Sequence, residues 1–216
     1  MTYLDLVNAV LRRLREEPVT SVVETDYAQL IGSFVNDAIR MVALEHQWSV
    51  FYTVISVNTV TGASELAIPD TNTNSSVYYV KNASTDKQLQ QSGFTELDDL
   101  LTRTVVDHGE PIKYDVLNVN ANGELVLRLW PIPDAVYTLK VSALVEAGEL
   151  VNDTDITSLP SNLIILAATA KALEERGEDT GANPNTLWNQ YERQLGFEIA
   201  KDVERKYGNY DLIFDV

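Results

Sequence analysis

The chain has 216 residues, with no cysteine, two histidines, two methionines, and only 16 Lys plus Arg against 32 Asp plus Glu. Each scarcity removes a class of function. Without cysteine there is no disulfide, no thiolate metal site and no thiol nucleophile, a usage that suits a reducing cytoplasm or a particle assembled there. A net charge of −16 opposes broad contact with phosphate backbones, so a nucleic-acid reader is disfavoured. With His46 and His108 alone, and no Gly-x-Ser-x-Gly elbow, serine or metal hydrolysis has little to work with. No glycine-rich loop opens a helix, which removes nucleotide-dependent chemistry. The longest apolar run, Leu163 to Ala168, falls far short of the roughly 18 to 20 residues of a membrane span. Met1-Thr2-Tyr3-Leu4-Asp5 shows no basic stretch followed by an apolar one, so no signal peptide is expected.

What is present is 45% hydrophobic, enough for one large domain or two small ones. The acidity is uneven. Residues 1–49 carry 4 basic and 7 acidic side chains, residues 50–158 carry 6 and 15, and residues 159–216 carry 6 and 10. The middle of the chain is therefore the most negative part.

Hydrophobic periodicity divides the chain into helix, sheet and helix. Thr2 caps a first helix with Tyr3, Leu6, Val7, Val10, Leu11 and Leu14 on one face. Pro18 follows its end. A second helix begins near Asp26, with Gln29 at the capping-box position and Leu30, Ile31, Phe34, Val35, Ala38, Ile39 and Val42 in a stripe. From Phe51 the period becomes two, and strands are expected at 51–59, 65–68, 77–82, 87–90, 112–119, 124–130 and 136–146. A short helix is expected at 94–102, a tight hairpin turn at Asn122-Gly123, and an exposed mobile loop at 70–76. Trp130-Pro131-Ile132-Pro133 removes two backbone donors between two alternating runs, so the strands on either side turn away from each other. Helix resumes at Ser161, with almost no polar face in its first half, breaks across 179–184, and returns from about Asn185 to Tyr207.

That last helix carries Leu187, Tyr191, Leu195, Ile199, Val203 and Tyr207 four residues apart, a row that drifts about 40° per step. Such a row meets its own domain at one end and another surface at the other, a physical pointer to oligomerisation. The segment beyond it, with Tyr210, Leu212, Ile213, Phe214 and Val216, adds a strand to a sheet edge, fills a groove on a partner, or folds back on its own domain.

The fold class expected is α+β: a helical bundle from residues 1–49 and 158–216 with a C-terminal extension, and an antiparallel β-rich domain at 50–157. The Trp-Pro-x-Pro corner, the Tyr137-Thr138-Leu139 return strand, the Leu159-Pro160 helix start and the opening Leu4-Asp5-Leu6-Val7 helix occur in an order that resembles the head-to-tail adaptor proteins of tailed bacteriophages. About the whole chain follows that order. The resemblance implies a structural virion protein of the neck, assembled in the host cytoplasm. It implies a homo-oligomeric ring, a dodecamer, under the portal protein, with β domains toward the tail tube or nozzle protein and DNA passing through the channel without specific binding. It places the portal contact at Tyr207 and Tyr210 to Val216.

Arg12, Arg13 and Arg15 form the one basic cluster. On a helix, residues 12 and 15 share a face, which suits contact with an acidic partner, while Glu16 and Glu17 beside them suit plain surface pairing. The candidate partner interface is therefore Tyr207, Tyr210, Leu212, Ile213, Phe214, Val216, Arg12 and Arg15. No catalytic, cofactor or metal residue is assigned. The alternative is a metal-dependent hydrolase built on Glu96, Asp98, Asp99, Asp107 and His108, against a solvated helix face; an inhibitor-like binding module is a third. Asn152-Asp153-Thr154-Asp155 resembles the start of a calcium loop, but position six is Ser158 and position twelve is Ile164, so a turn capping the next helix is expected.

Overall fold

A computed structural model describes residues 1–146, 148–177 and 184–207, the Tyr207 side chain excepted. Its helices are α1 (Tyr3–Arg13), α2 (Asp26–Glu45), α3 (Phe94–Leu101), α4 (Ser161–Arg176) and α5 (Pro184–Tyr207). The strands are β1 (Tyr52–Asn58), β2 (Glu65–Ala67), β3 (Ser76–Asn82), β4 (Lys87–Gln88), β5 (Gln90–Gln91), β6 (His108–Gly109), β7 (Lys113–Val119), β8 (Leu125–Trp130), β9 (Ile132–Pro133) and β10 (Thr138–Leu144). Two compact units result: Met1–Val50 with the described part of Ala147–Val216, and Phe51–Glu146. The fold is mixed α+β, as the periodicity indicates.

In the helical unit, α1 opens on a complete capping box, the Asp5 amide donating to Thr2 Oγ1 at 3.1 Å and the Thr2 amide to Asp5 Oδ2 at 3.0 Å. Two further amides of its first turn, Tyr3 and Leu4, donate to the carbonyls of Asp155 and Asp153. The 152–155 turn therefore serves the start of α1. It was expected to cap the following helix, yet α4 starts from Pro160 without a side-chain cap. Backbone carbonyls decide this, and sequence does not display where they point. The cap of α2 is Thr25, which accepts from the Ala28 amide at 3.0 Å, while Gln29 reaches back to the Val23 carbonyl.

Asn8 grips the link between these helices, exchanging two hydrogen bonds with the Val19 backbone at 2.9 and 2.8 Å. α1 and α2 approach closely at Gly32, where a Cβ would collide with the Tyr3 hydroxyl and lie 2.9 Å from Val22 Cγ1. α4 is apolar on nearly all sides because it packs against α1, α2 and α5 at once. It ends at Gly177, held at φ 60° in the left-handed region, a stop earlier than the expected break.

In the β unit the strands form two four-stranded sheets, ordered β1-β10-β3-β4 and β2-β8-β7-β5. The corner after Trp130, whose bond to Pro131 is cis, passes the chain from β8 in one sheet to β10 in the other. Leu66, Tyr114, Leu127 and Leu129 from one sheet meet Val80, Leu139 and Val141 from the other in a single core. Pairing is mainly antiparallel, with short parallel contacts of β5 with β7 and β6 with β9. The hairpin at Gly123 is wider than a two-residue turn. Gly123 alone is left-handed, at φ 83°, and the Asn120 side chain accepts from the amides of Asn122 and Glu124. The 70–76 loop is not a loose excursion. Thr71 is buried, donates to the Ile68 carbonyl and accepts from the Leu125 amide.

Candidate partner interface

α1 stops at Arg13 with Leu14 as its cap. Beyond it, the Glu16 amide donates to the Leu11 carbonyl at 3.0 Å and the Arg15 amide to the Arg12 carbonyl at 3.2 Å, which puts Arg15 at φ 61°. This is the left-handed helix ending that glycine usually occupies. Arg12 and Arg15 consequently do not share a helix face, contrary to the spacing argument, because the helix is over before Arg15. Plain surface pairing is not realised either. Glu16 pairs with Arg176, whose guanidinium lies 4.7 Å from the Tyr27 ring centre. Arg12, Arg13 and Arg15 make no ion pair among the described residues.

Beside them, Arg13, Asn162, Leu166, Arg193, Gln194 and Phe197 line a cleft of about 440 Å³ between α1, α4 and α5. Arg193 also has no ion pair there, and Phe197 is 64% exposed. Along α5 the four-residue row behaves as its drift requires. Tyr191 is buried, Leu187, Leu195 and Ile199 are half-buried, and Val203 emerges at 40% exposure. Burial pushes the Tyr191 hydroxyl up to about 12. Trp188 meets the Tyr191 ring edge-on at 5.7 Å and donates to Glu174. The Tyr207 side chain and Tyr210, Leu212, Ile213, Phe214 and Val216 lie outside the described residues.

α5 is tied down near its end by a polar contact the stripe does not show. Asp202, 4% exposed, accepts from the Ser49 hydroxyl at 2.6 Å, the Ser49 amide at 2.8 Å and the His46 ring at 3.1 Å. Burial alone raises its carboxyl, but these donors outweigh that and hold it below the usual range.

Three acids of the cluster disperse into ion pairs, while Asp107 and His108 make none among the described residues and lie at the β6–β9 pairing, where the Asp107 carbonyl accepts from the Ile132 amide. Glu96 pairs with Lys113, Asp99 with Arg103, and Asp98 with Arg128. Among the described residues no three His, Cys, Asp or Glu side chains stand where they could share a metal ion. The pairing does reveal a buried anchor. Arg128 grips Asp115 through Nε at 3.0 Å and Nη2 at 2.5 Å, donates to the Phe94 carbonyl, and lies 4.5 Å from the Phe94 ring centre. The signal was available: Asp115 faces Arg128 in the β7–β8 register, and a base and an acid inside two apolar strands announce a pair.

Among the described residues these are surfaces and anchors, without a constellation of nucleophile, base and oxyanion donors. A family model described as SU10 adaptor protein matches residues 1–210. The chain belongs to the SU10 adaptor protein family. No curated protein matches it in sequence. This adaptor family is a phage head-to-tail family whose role is structural. The match runs through both compact units and stops at Tyr210, so Asp211 to Val216 continue beyond it. No described helix of this SU10 adaptor is long and apolar enough to cross a membrane.

Proposed function

We propose that this adaptor forms a ring of twelve copies under the portal vertex of a phage head and joins the head to the tail, in the neck of the virion. Its residues supply surfaces in place of catalysis. The observation that carries the reading is a single adaptor-family match spanning both units, residues 1–210. In the ring, Tyr207 and the Tyr210–Val216 segment contact the portal, and Arg12 and Arg15 face an acidic partner or a neighbouring copy. The β unit faces the tail tube or nozzle. DNA passes through the channel without specific binding.

Charge supports passage over adhesion. Twelve copies at −16 each carry −192, and acidic walls repel a duplex. Screening over about 8 Å at physiological salt confines that repulsion to the wall nearest the DNA. Native mass spectrometry with and without portal protein, and with and without magnesium, tests the reading. A large ring, or one that appears on adding portal, is expected. A strict monomer that takes up metal and cleaves a substrate would overturn it. Deleting residues 209–216 should leave both units folded and abolish portal docking; a truncated protein that docks normally removes the tail from the interface.

A further inference from the structure

The helical unit holds cations and an acid that are not paired with one another. Arg13 and Arg193 border the cleft that Leu166 and Phe197 line, and neither makes an ion pair among the described residues. Acids are not scarce, since the chain has 32 of them against 16 bases. These arginines are left over because no acid of their own copy stands beside the cleft.

A matching acid sits at the end of α2. Glu45 is its last residue, no basic residue occupies the last turn, and Glu45 makes no ion pair among the described residues. A carboxylate there is repelled by the free carbonyls of the helix end. Next to it Leu44 is 77% exposed, although α2 buries Ile39, Val42 and Ala43 just before. Other acids beside exposed apolar residues of this unit are already spent. Glu24, beside Val23, accepts from the Thr20 amide, and Asp155, beside Ile156, accepts from the Val151 and Asn152 amides.

Cleft and patch lie on opposite sides of α4. Asn162 and Leu166 border the cleft, whereas Lys171 reaches Asp37 of α2 at 3.4 Å. At about 100° per residue, Lys171 stands about 180° around α4 from Asn162. Leu44 follows Asp37 by about two turns, on the same face of α2. One copy therefore cannot seat Leu44 and Glu45 in its own cleft.

We infer that the Leu44-Glu45 end of α2 in one copy docks in the Arg13–Arg193 cleft of the next. Leu44 packs against Leu166 and Phe197 and supplies apolar affinity, while the Glu45 carboxylate accepts from the two guanidinium groups and fixes the register. A knob and a cleft at different places on one chain give a head-to-tail contact, which closes as a ring when the rotation permits. The inference rests on the ring reading and leaves the portal contact at the C-terminus as proposed above.

Because the chain has no cysteine, introduced thiols are its only ones. The full chain carrying Leu44→Cys with Gln194→Cys, a second residue of the cleft wall, is assembled with portal and treated with a mild oxidant. A ladder of chain-to-chain cross-links is expected. Cross-links confined to single chains, or none while native mass spectrometry still shows a ring, overturn the inference and leave the ring standing. No ring from the parent chain with portal removes the ring reading and this contact together. Glu45→Lys should fold, by circular dichroism, and lower the assembled fraction about tenfold or more. Adding Arg13→Glu and Arg193→Glu reverses both sides of the contact and should restore assembly. An intact ring in Glu45→Lys, or no recovery in the folded triple variant, also overturns the inference.

Discussion

Asp202 shows how a single residue can couple stability to pH. Its native carboxylate is held below its ordinary range by Ser49 and His46. A group depressed in the folded state contributes stability above its unfolded value, near 4, and loses it as pH falls through the folded value. Asp202→Asn should therefore be less stable than the parent at pH 7, with the gap closing below about pH 4, measured as urea midpoints. Arg128 is a different case, because its partner is buried with it. Arg128→Met leaves the Asp115 charge uncompensated and should cost about 3–5 kcal/mol, whereas adding Asp115→Leu should recover most of that. Equilibrium denaturation of the single and double variants separates the pair from its burial. Arg15 occupies a left-handed backbone position that costs an ordinary residue about 1–2 kcal/mol. Arg15→Gly should stabilise the monomer by about 1 kcal/mol in urea, and weaker assembly in the same variant would show that the arginine is kept for its partner.

At the scale of elements, the α1–α2 crossing sets two effects against each other. Gly32→Ala gains about 1 kcal/mol of helix propensity, but the added methyl meets the Tyr3 side chain and Val22, and overpacking costs about 1–3 kcal/mol. Packing should win, lowering the thermal midpoint by several degrees. The helices and longer strands were legible because each has one dominant apolar period, from the α1 stripe to the alternation of β10. α4 was legible for the opposite reason: its lack of a polar face announced burial on all sides. What escaped were the joints. The Asp153 and Asp155 carbonyls at the start of α1, Thr71 inside the β core and the left-handed stop at Arg15 depend on backbone direction, which composition does not encode.

For the whole molecule, net charge opposes the proposed assembly. Identical acidic copies repel, and raising ionic strength from about 0.01 M to about 0.15 M shortens the screening length from about 30 Å to about 8 Å. The assembled fraction, followed by light scattering, should rise across that range if apolar contacts drive the proposed ring. A fall would mean that attractive ion pairs dominate the contact, with Arg12 and Arg15 the first residues to replace.

The sequence by itself determined the α+β class, the helix, sheet and helix order and the parting of the two strands at the Trp-Pro corner, because apolar period and missing donors are local properties. It also carried the order of motifs by which the adaptor family is recognised. Only the tertiary structure decided that Glu96, Asp98 and Asp99 are spent in ion pairs, that Arg12 and Arg15 part company, and that β1 lies at an edge. Each of these depends on which distant segment stands beside a residue, and a linear pattern does not record that.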